Sequence, residues 1–251
     1  MKLHFFGADK EVTGSCHQLE VGGKKLLIDC GLQQGGDELD DNALPFAAGE
    51  IDYVLITHAH IDHSGRLPLL VKNGFKGPVI ATRLTCDLLR IMLMDSARIQ
   101  EMDAQWKSQK LSRAGIEAVE PLYTVEDAQA ALDLLQPCEY GQEVEICQGV
   151  RAKFIDAGHL LGSASILVTA QEAGVTRSIA FSGDIGNTDQ PIIRDPDYIT
   201  QADYVVMEST YGNRLHEGSG YTVAELAQII DETLHRGGNV VIPSFAVGRT
   251  Q

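Results

Sequence analysis

Short apolar runs, most of them closed by a glycine or another turn residue, recur along this chain. LHFFG (3–7), HQLEV (17–21) and KLLID (25–29) read as strands separated by glycine-containing turns. YVLIT (53–57) and GPVIA (77–81) read as buried strands, and between them Leu67, Leu69, Leu70 and Val71 fit a short helix that stops near Asn73 and Gly74. From Arg83 to Gln105 the apolar residues Leu84, Leu88, Ile91, Ile99 and Met102 follow three- and four-residue steps, the period of an amphipathic helix. WKSQKLSRAG (106–115) is polar and mildly basic and reads as a mobile loop. TVED (124–127) is a capping-box start for a helix expected to run to Leu135. EVEIC (143–147), VRAKFIDA (150–157), SASILVTA (163–170) and SIAFS (178–182) follow as strands, then ADYVVMEST (202–210). YTVAELAQIIDETLHRGG (221–238) reads as a helix capped by Thr222 and Glu225 and stopped by glycine, and NVVIPSF (239–245) as a strand.

Two of these runs resemble each other. KLLIDCG (25–31) and SIAFSGDIG (178–186) are apolar strands that each deliver an aspartate into a glycine turn. That suggests two facing halves, each presenting a carboxylate at a strand end, where a rigid sheet can hold ligating groups. The last strand and the VGRTQ that follows it look like the beginning of a further unit, so the chain reads as the N-terminal portion of something longer.

Composition changes this picture little. Hydrophobic residues make up 44% and charged residues 22%, ordinary values for a globular chain. No apolar run approaches membrane-spanning length and the N-terminus has no signal-peptide core, so no membrane association is expected. Five scattered cysteines do not form a disulfide framework, which points to a reducing cytoplasm. The net charge of −15 argues against broad electrostatic capture of nucleic acid, although bound divalent cations would reverse the local sign.

The candidate chemistry is concentrated in THAHIDHSGRLP (57–68), where three of the chain's eight histidines fall within six positions. His58 and His60, two apart, point to one side if the backbone is extended. Asp62 and His63 come next. Four such side chains exceed what one tetrahedral ion takes from so short a loop, so the spacing suits two ions, one for each pair. Imidazole with carboxylate favours zinc, with manganese or iron left open. Distant groups must complete such a site. His159 in DAGHLLGSAS and Asp184 in FSGDIGN, both in glycine settings after strands, are the candidates, and Asp29 in LIDCG is placed to orient a ligand imidazole.

THAHIDH resembles the His-x-His-x-Asp-His signature of the metallo-β-lactamase superfamily, and LIDCG, GHLLGSAS and FSGDIG resemble its other core motifs in the expected order. The resemblance implies an α/β fold of the αββα sandwich type with a dinuclear metal site at one edge. EVTGSCHQLEV, GRLPLL, MESTYGNR and VVIPSFAVGRTQ further resemble the β-CASP branch, which comprises RNA- and DNA-processing nucleases. It implies a metallo-β-lactamase domain over residues 1–210, lacking its C-terminal segment, and the start of a β-CASP domain over 211–251. By position, His58, His60 and His159 resemble ligands of one zinc and Asp62 and His63 of another, with Asp184 bridging. Asp62, Asp184 and Glu208 then carry catalysis, Glu208 by steadying a later histidine. The implied activity is cleavage of RNA, single-stranded rather than duplex, by metal-activated hydroxide. Two histidine motifs of that branch are absent, so this stretch is expected to be a poorly active fragment, with the second of two Zn2+ sites open to being weak or empty. A homodimer is left open, as is another hydrolase of the same fold acting on a thioester, lactone or sulfate ester.

Overall fold

A computed structural model describes residues 1–35, 43–112, 118–213, 223–244 and 247–248. The chain divides into two compact units, Met1–Glu208 and Ser209–Gln251.

The first unit holds two sheets. One has six strands in sequence order: β1 (Lys2–Gly7), β2 (Cys16–Val21), β3 (Lys24–Ile28), β4 (Tyr53–Leu55), β5 (Val79–Thr82) and β6 (Leu135–Cys138). β1, β2 and β3 pair antiparallel; β3 to β6 pair parallel. The other has five strands, β7 (Glu143–Cys147), β8 (Val150–Asp156), β9 (Ala164–Glu172), β10 (Val175–Phe181) and β11 (Tyr204–Val206), antiparallel except for the β10–β11 pair.

The sheets share one core. Leu19, Leu26, Ile28 and Leu55 from the first meet Phe154, Ile166, Val168 and Phe181 from the second. In β8 burial alternates strictly over Val150–Phe154, so its outward residues Arg151 and Lys153 stay in water. The parallel strands differ: Leu27, Val54 and Val79 are as buried as their inward neighbours, as expected where helices cover a second face. Those helices are α1 (Ile61–Ser64), α2 (Leu67–Lys72), α3 (Arg83–Ser112) and α4 (Val125–Leu132). α4 opens on the expected capping box: Thr124 Oγ1 accepts from Asp127 N, and Asp127 Oδ2 accepts from Thr124 N at 2.9 Å.

Three sequence expectations for this unit are corrected. The segment from Trp106 to Ser112 is not a loop; it continues α3, because Trp106-Lys-Ser-Gln-Lys-Leu contains no proline or glycine to end a helix. The residues that marked the helix in sequence, Leu84, Ile91, Ile99 and Met102, are exposed, while Leu89, Leu93, Ala97 and Ala104 form the buried face. Helix α4 stops at Leu132, and Leu135–Cys138 is an unforeseen strand. Its Pro137 lacks an N–H, which an edge strand tolerates, and β6 lies at the edge of its sheet.

The second unit contains α5 (Val223–His235), and its Thr222 cap lies outside the described residues. Gly237 N and Gly238 N bond back to Leu234 O and Thr233 O and end the helix as expected. The anticipated strand over 239–245 is not formed among the described residues 239–244. An apolar run becomes a strand only beside another strand that takes up its hydrogen bonds, and the described residues of this unit include none.

The two faces of α3 separate in a stability measurement. Leu93→Ala is expected to cost about 2–5 kcal/mol in urea unfolding, whereas Ile91→Ala, at a position 64% exposed, should stay within about 0.5 kcal/mol of the parent. Equal losses would contradict this assignment of faces.

Candidate metal centre

The strands β3, β4, β8, β10 and β11 deliver their C-terminal loops to the same end of the sandwich. Asp29 follows β3, the His58–His63 segment follows β4, His159 follows β8, Asp184 follows β10 and Glu208 follows β11.

Asp29 takes a left-handed backbone conformation, φ 63°, which aspartate tolerates better than most side chains. It is 1% exposed. Its carboxylate accepts from Thr57 N at 2.8 Å, from Thr57 Oγ1 and from Ser15 Oγ, and lies 2.8 Å from His63 Nδ1. The imidazole is thereby fixed with Nε2 facing Asp184 Oδ1 at 3.2 Å. Asp62 Oδ2 lies 3.9 Å from the same Nε2. Helix α1 is what presents Asp62 and His63 together: His63 N and Ser64 N both bond to His60 O, and Cys30 N bonds to His63 O.

His58 and His60 converge before that helix. His60 Nδ1 lies 3.1 Å from His58 Nε2 and 3.2 Å from His159 Nε2. Ligands at zinc–nitrogen bond length around a tetrahedral centre are spaced about 3.3 Å apart, so the three nitrogens suit one ion. Asp184 Oδ2 completes the group at 3.5 Å from His159 Nε2 and 3.8 Å from His58 Nε2. Ligand atoms of His58, His60, His159 and Asp184 all lie within 4.8 Å of one another. Asp184 therefore sits between two sets, Oδ2 toward His58 and His159, Oδ1 toward His63.

The His159 loop is gripped from several sides. Ser163 Oγ accepts from His159 N and Leu160 N, and Thr82 and Thr85 both donate to Gly162 O. Two glycines allow the loops to touch backbone to backbone. A Cβ on Gly31 would lie 1.6 Å from Asp62 O, and one on Gly186 would lie 1.7 Å from Gly158 O. Glu208 Oε1 accepts from Ile185 N at 2.7 Å, and Glu208 N donates to Ser182 Oγ. Sequence reasoning missed Thr57, Ser15, Ser163 and the Thr82–Thr85 pair. Thr57 lies within THAHIDH and Ser163 within GHLLGSAS. The threonines are about 80 residues from their partner Gly162, and only the fold joins them.

Burial, reinforced by the neighbouring imidazoles, depresses His58 well below the usual histidine range and His60 to about 4. Burial also opposes charge on His63, but Asp29 and Asp184 outweigh it and raise this histidine well above its ordinary value. Desolvation would raise Asp184, yet its bond to His63 and the surrounding imidazoles hold it low. Asp62 is raised, chiefly by burial. The rings of His58 and His60 thus favour the neutral form, able to donate lone pairs, and Asp184 favours the ionised form.

Residues 10–209 match the family model of the metallo-beta-lactamase superfamily. This chain belongs to that superfamily. The fold and the histidine–aspartate group together imply use of a divalent metal. Over its whole length the chain is 42% identical to a ribonuclease of Thermus thermophilus, of which it spans 53%. It is 32% identical to cleavage and polyadenylation specificity factor 73 of Drosophila melanogaster, spanning 34% of that protein. It is also 32% identical to a probable RNase of Methanocaldococcus jannaschii, spanning 55% of it. The chain thus covers about half or less of the length of these curated relatives. No helix among the described residues is long and apolar enough to cross a membrane.

The backbone contact at Gly31 sets a prediction. Gly31→Ala should destabilise the protein by more than about 3 kcal/mol in chemical denaturation, since carbonyl and added methyl cannot share the space. Gly141→Ala, at a turn with φ 74° and open space around it, should cost only about 1–2 kcal/mol of backbone strain. A tolerated Gly31→Ala would mean that the Asp29 and Asp62 loops are not in contact.

Proposed function

We propose that this chain carries the catalytic site of a metal-dependent phosphodiesterase of the β-CASP branch that acts on RNA. The observation that supports it best is Asp184, whose two carboxylate oxygens face separate ligand sets. His58, His60, His159 and Asp184 would hold one divalent ion and Asp62, His63 and Asp184 a second, with zinc the favoured metal for this donor set. Such a pair, when bound, activates water and stabilises negative charge on a phosphoryl group.

The chain's own residues prepare the site for that chemistry. Burial keeps His58 and His60 unprotonated, so both rings offer lone pairs. Asp29 fixes the His63 ring, so Nε2 points inward. Asp184 supplies anionic charge between the two sets, and Asp62 supplies a second carboxylate beside it. The unit Met1–Glu208 is read as the hydrolase domain and Ser209–Gln251 as part of the β-CASP region. The five cysteines, none of them in a disulfide, fit a reducing cytoplasm. RNA is the proposed substrate because relatives named as ribonucleases match across the whole chain; within that class we propose single-stranded rather than duplex RNA.

The net charge of −15 favours a second reading, a hydrolase of the same fold that acts on a thioester, lactone or sulfate ester. The protein, reconstituted with Zn2+ or Mn2+, is expected to bind one ion tightly through His58, His60, His159 and Asp184 and a second more weakly, and to cleave a labelled single-stranded RNA. Chelation should abolish cleavage, and His60→Ala should lower it by at least about 100-fold. Hydrolysis of small esters without RNA cleavage would select the second reading; absence of metal binding would remove both.

A further inference from the structure

Asp184 lies in a stretch, residues 182–186, without regular secondary structure. What aims its carboxylate must be the bonds on either side. Before it, Ser182 N bonds to Val206 O and Ser182 O accepts from Ser165 Oγ. After it, Gly186 N bonds to Ala157 O. Between those anchors the residue next to Asp184, Ile185, has its N–H bound by a side chain, the carboxylate of Glu208, at 2.7 Å. Glu208 is itself tied back, its N–H donating to Ser182 Oγ, which donates to Gly183 O. One residue just beyond β11 thus holds the loop on both sides of Asp184. A bond from a backbone N–H to a carboxylate is stronger and more directional than one between neutral partners.

We propose that Glu208 is a positioning residue for Asp184, fixing through the Ile185 N–H the loop that sets this carboxylate between the two ligand sets. The role is distinct from steadying a later histidine and needs only an acceptor oxygen, not a proton-transferring group. It rests on the reading of Asp184 as shared by two ions.

The test is a competition titration of Zn2+ against a chromophoric chelator, on the parent chain, Glu208→Ala and Glu208→Gln. Thermal melting of each metal-free protein is measured alongside. In the parent, two ions must bind; fewer would defeat the shared-carboxylate reading, and this proposal with it. Glu208→Ala is expected to weaken the more loosely held ion by about 10–100-fold, with an unchanged melting temperature of the metal-free protein. Glu208→Gln, whose Oε1 still accepts the Ile185 N–H, should retain most of that affinity. Parent-like binding in Glu208→Ala would overturn the proposal, and so would a loss in Glu208→Gln as large as in Glu208→Ala. Should Glu208→Ala fail to fold, Glu208→Gln decides: retention of both ions upholds the role and loss of one refutes it.

Discussion

The end of the sandwich that carries the site is organised around one buried carboxylate. Moving an ionised carboxyl out of water costs several kcal/mol unless hydrogen bonds replace the lost hydration. Asp29 is satisfied by groups from separate parts of the chain: Ser15 ahead of β2, the backbone and hydroxyl of Thr57 beyond β4, and His63 in α1. Satisfying the charge therefore requires those elements to be in register with one another. It also uses up the Nδ1 side of His63, so the other nitrogen is the one turned toward Asp184. The polar requirement of a single residue thus sets both the local fold and the direction of His63 Nε2.

Charge in the site is sorted by depth and by partner. His58 lies deepest and among other imidazoles, which keeps it neutral. His63 is almost as deep but stands between Asp29 and Asp184, so its charged form is favoured in the metal-free protein. Rings of one residue type, a few ångströms apart, are thus pushed in opposite directions.

The sequence carried the site more clearly than it carried the helices. The dense His58–His63 spacing and the glycine settings of His159 and Asp184 are local signals, and the structure brings these residues together with the aspartates of the two similar strand-turn runs, Asp29 and Asp184. The exposed face of α3 was harder to read, because apolar period alone does not say which side meets the sheet. The buried side is built largely from small residues, Ala97 and Ala104, beside Leu89 and Leu93, and alanine weighs little in a hydrophobic pattern. Strand β6 was hidden by Pro137, and the NVVIPSF run lacked a described partner strand. Bonds such as Thr82 to Gly162 carry no sequence signature at all, since their geometry exists only once β5 and the His159 loop are adjacent.

The glycine contacts bear on how the site moves. Gly186 presses against the backbone of Gly158 and donates its N–H to Ala157 O, so the loops carrying Asp184 and His159 are joined main chain to main chain. Gly31 joins the Asp29 turn to Asp62 in the same manner. Neither arm has a private hinge. Backbone amides in these loops have no cheap local opening of their own and should exchange with solvent on the schedule of the sheets beneath them. In dynamic terms these contacts predict that the site opens with the slow, cooperative part of the molecule, unlike the pliable loops that usually surround a ligand.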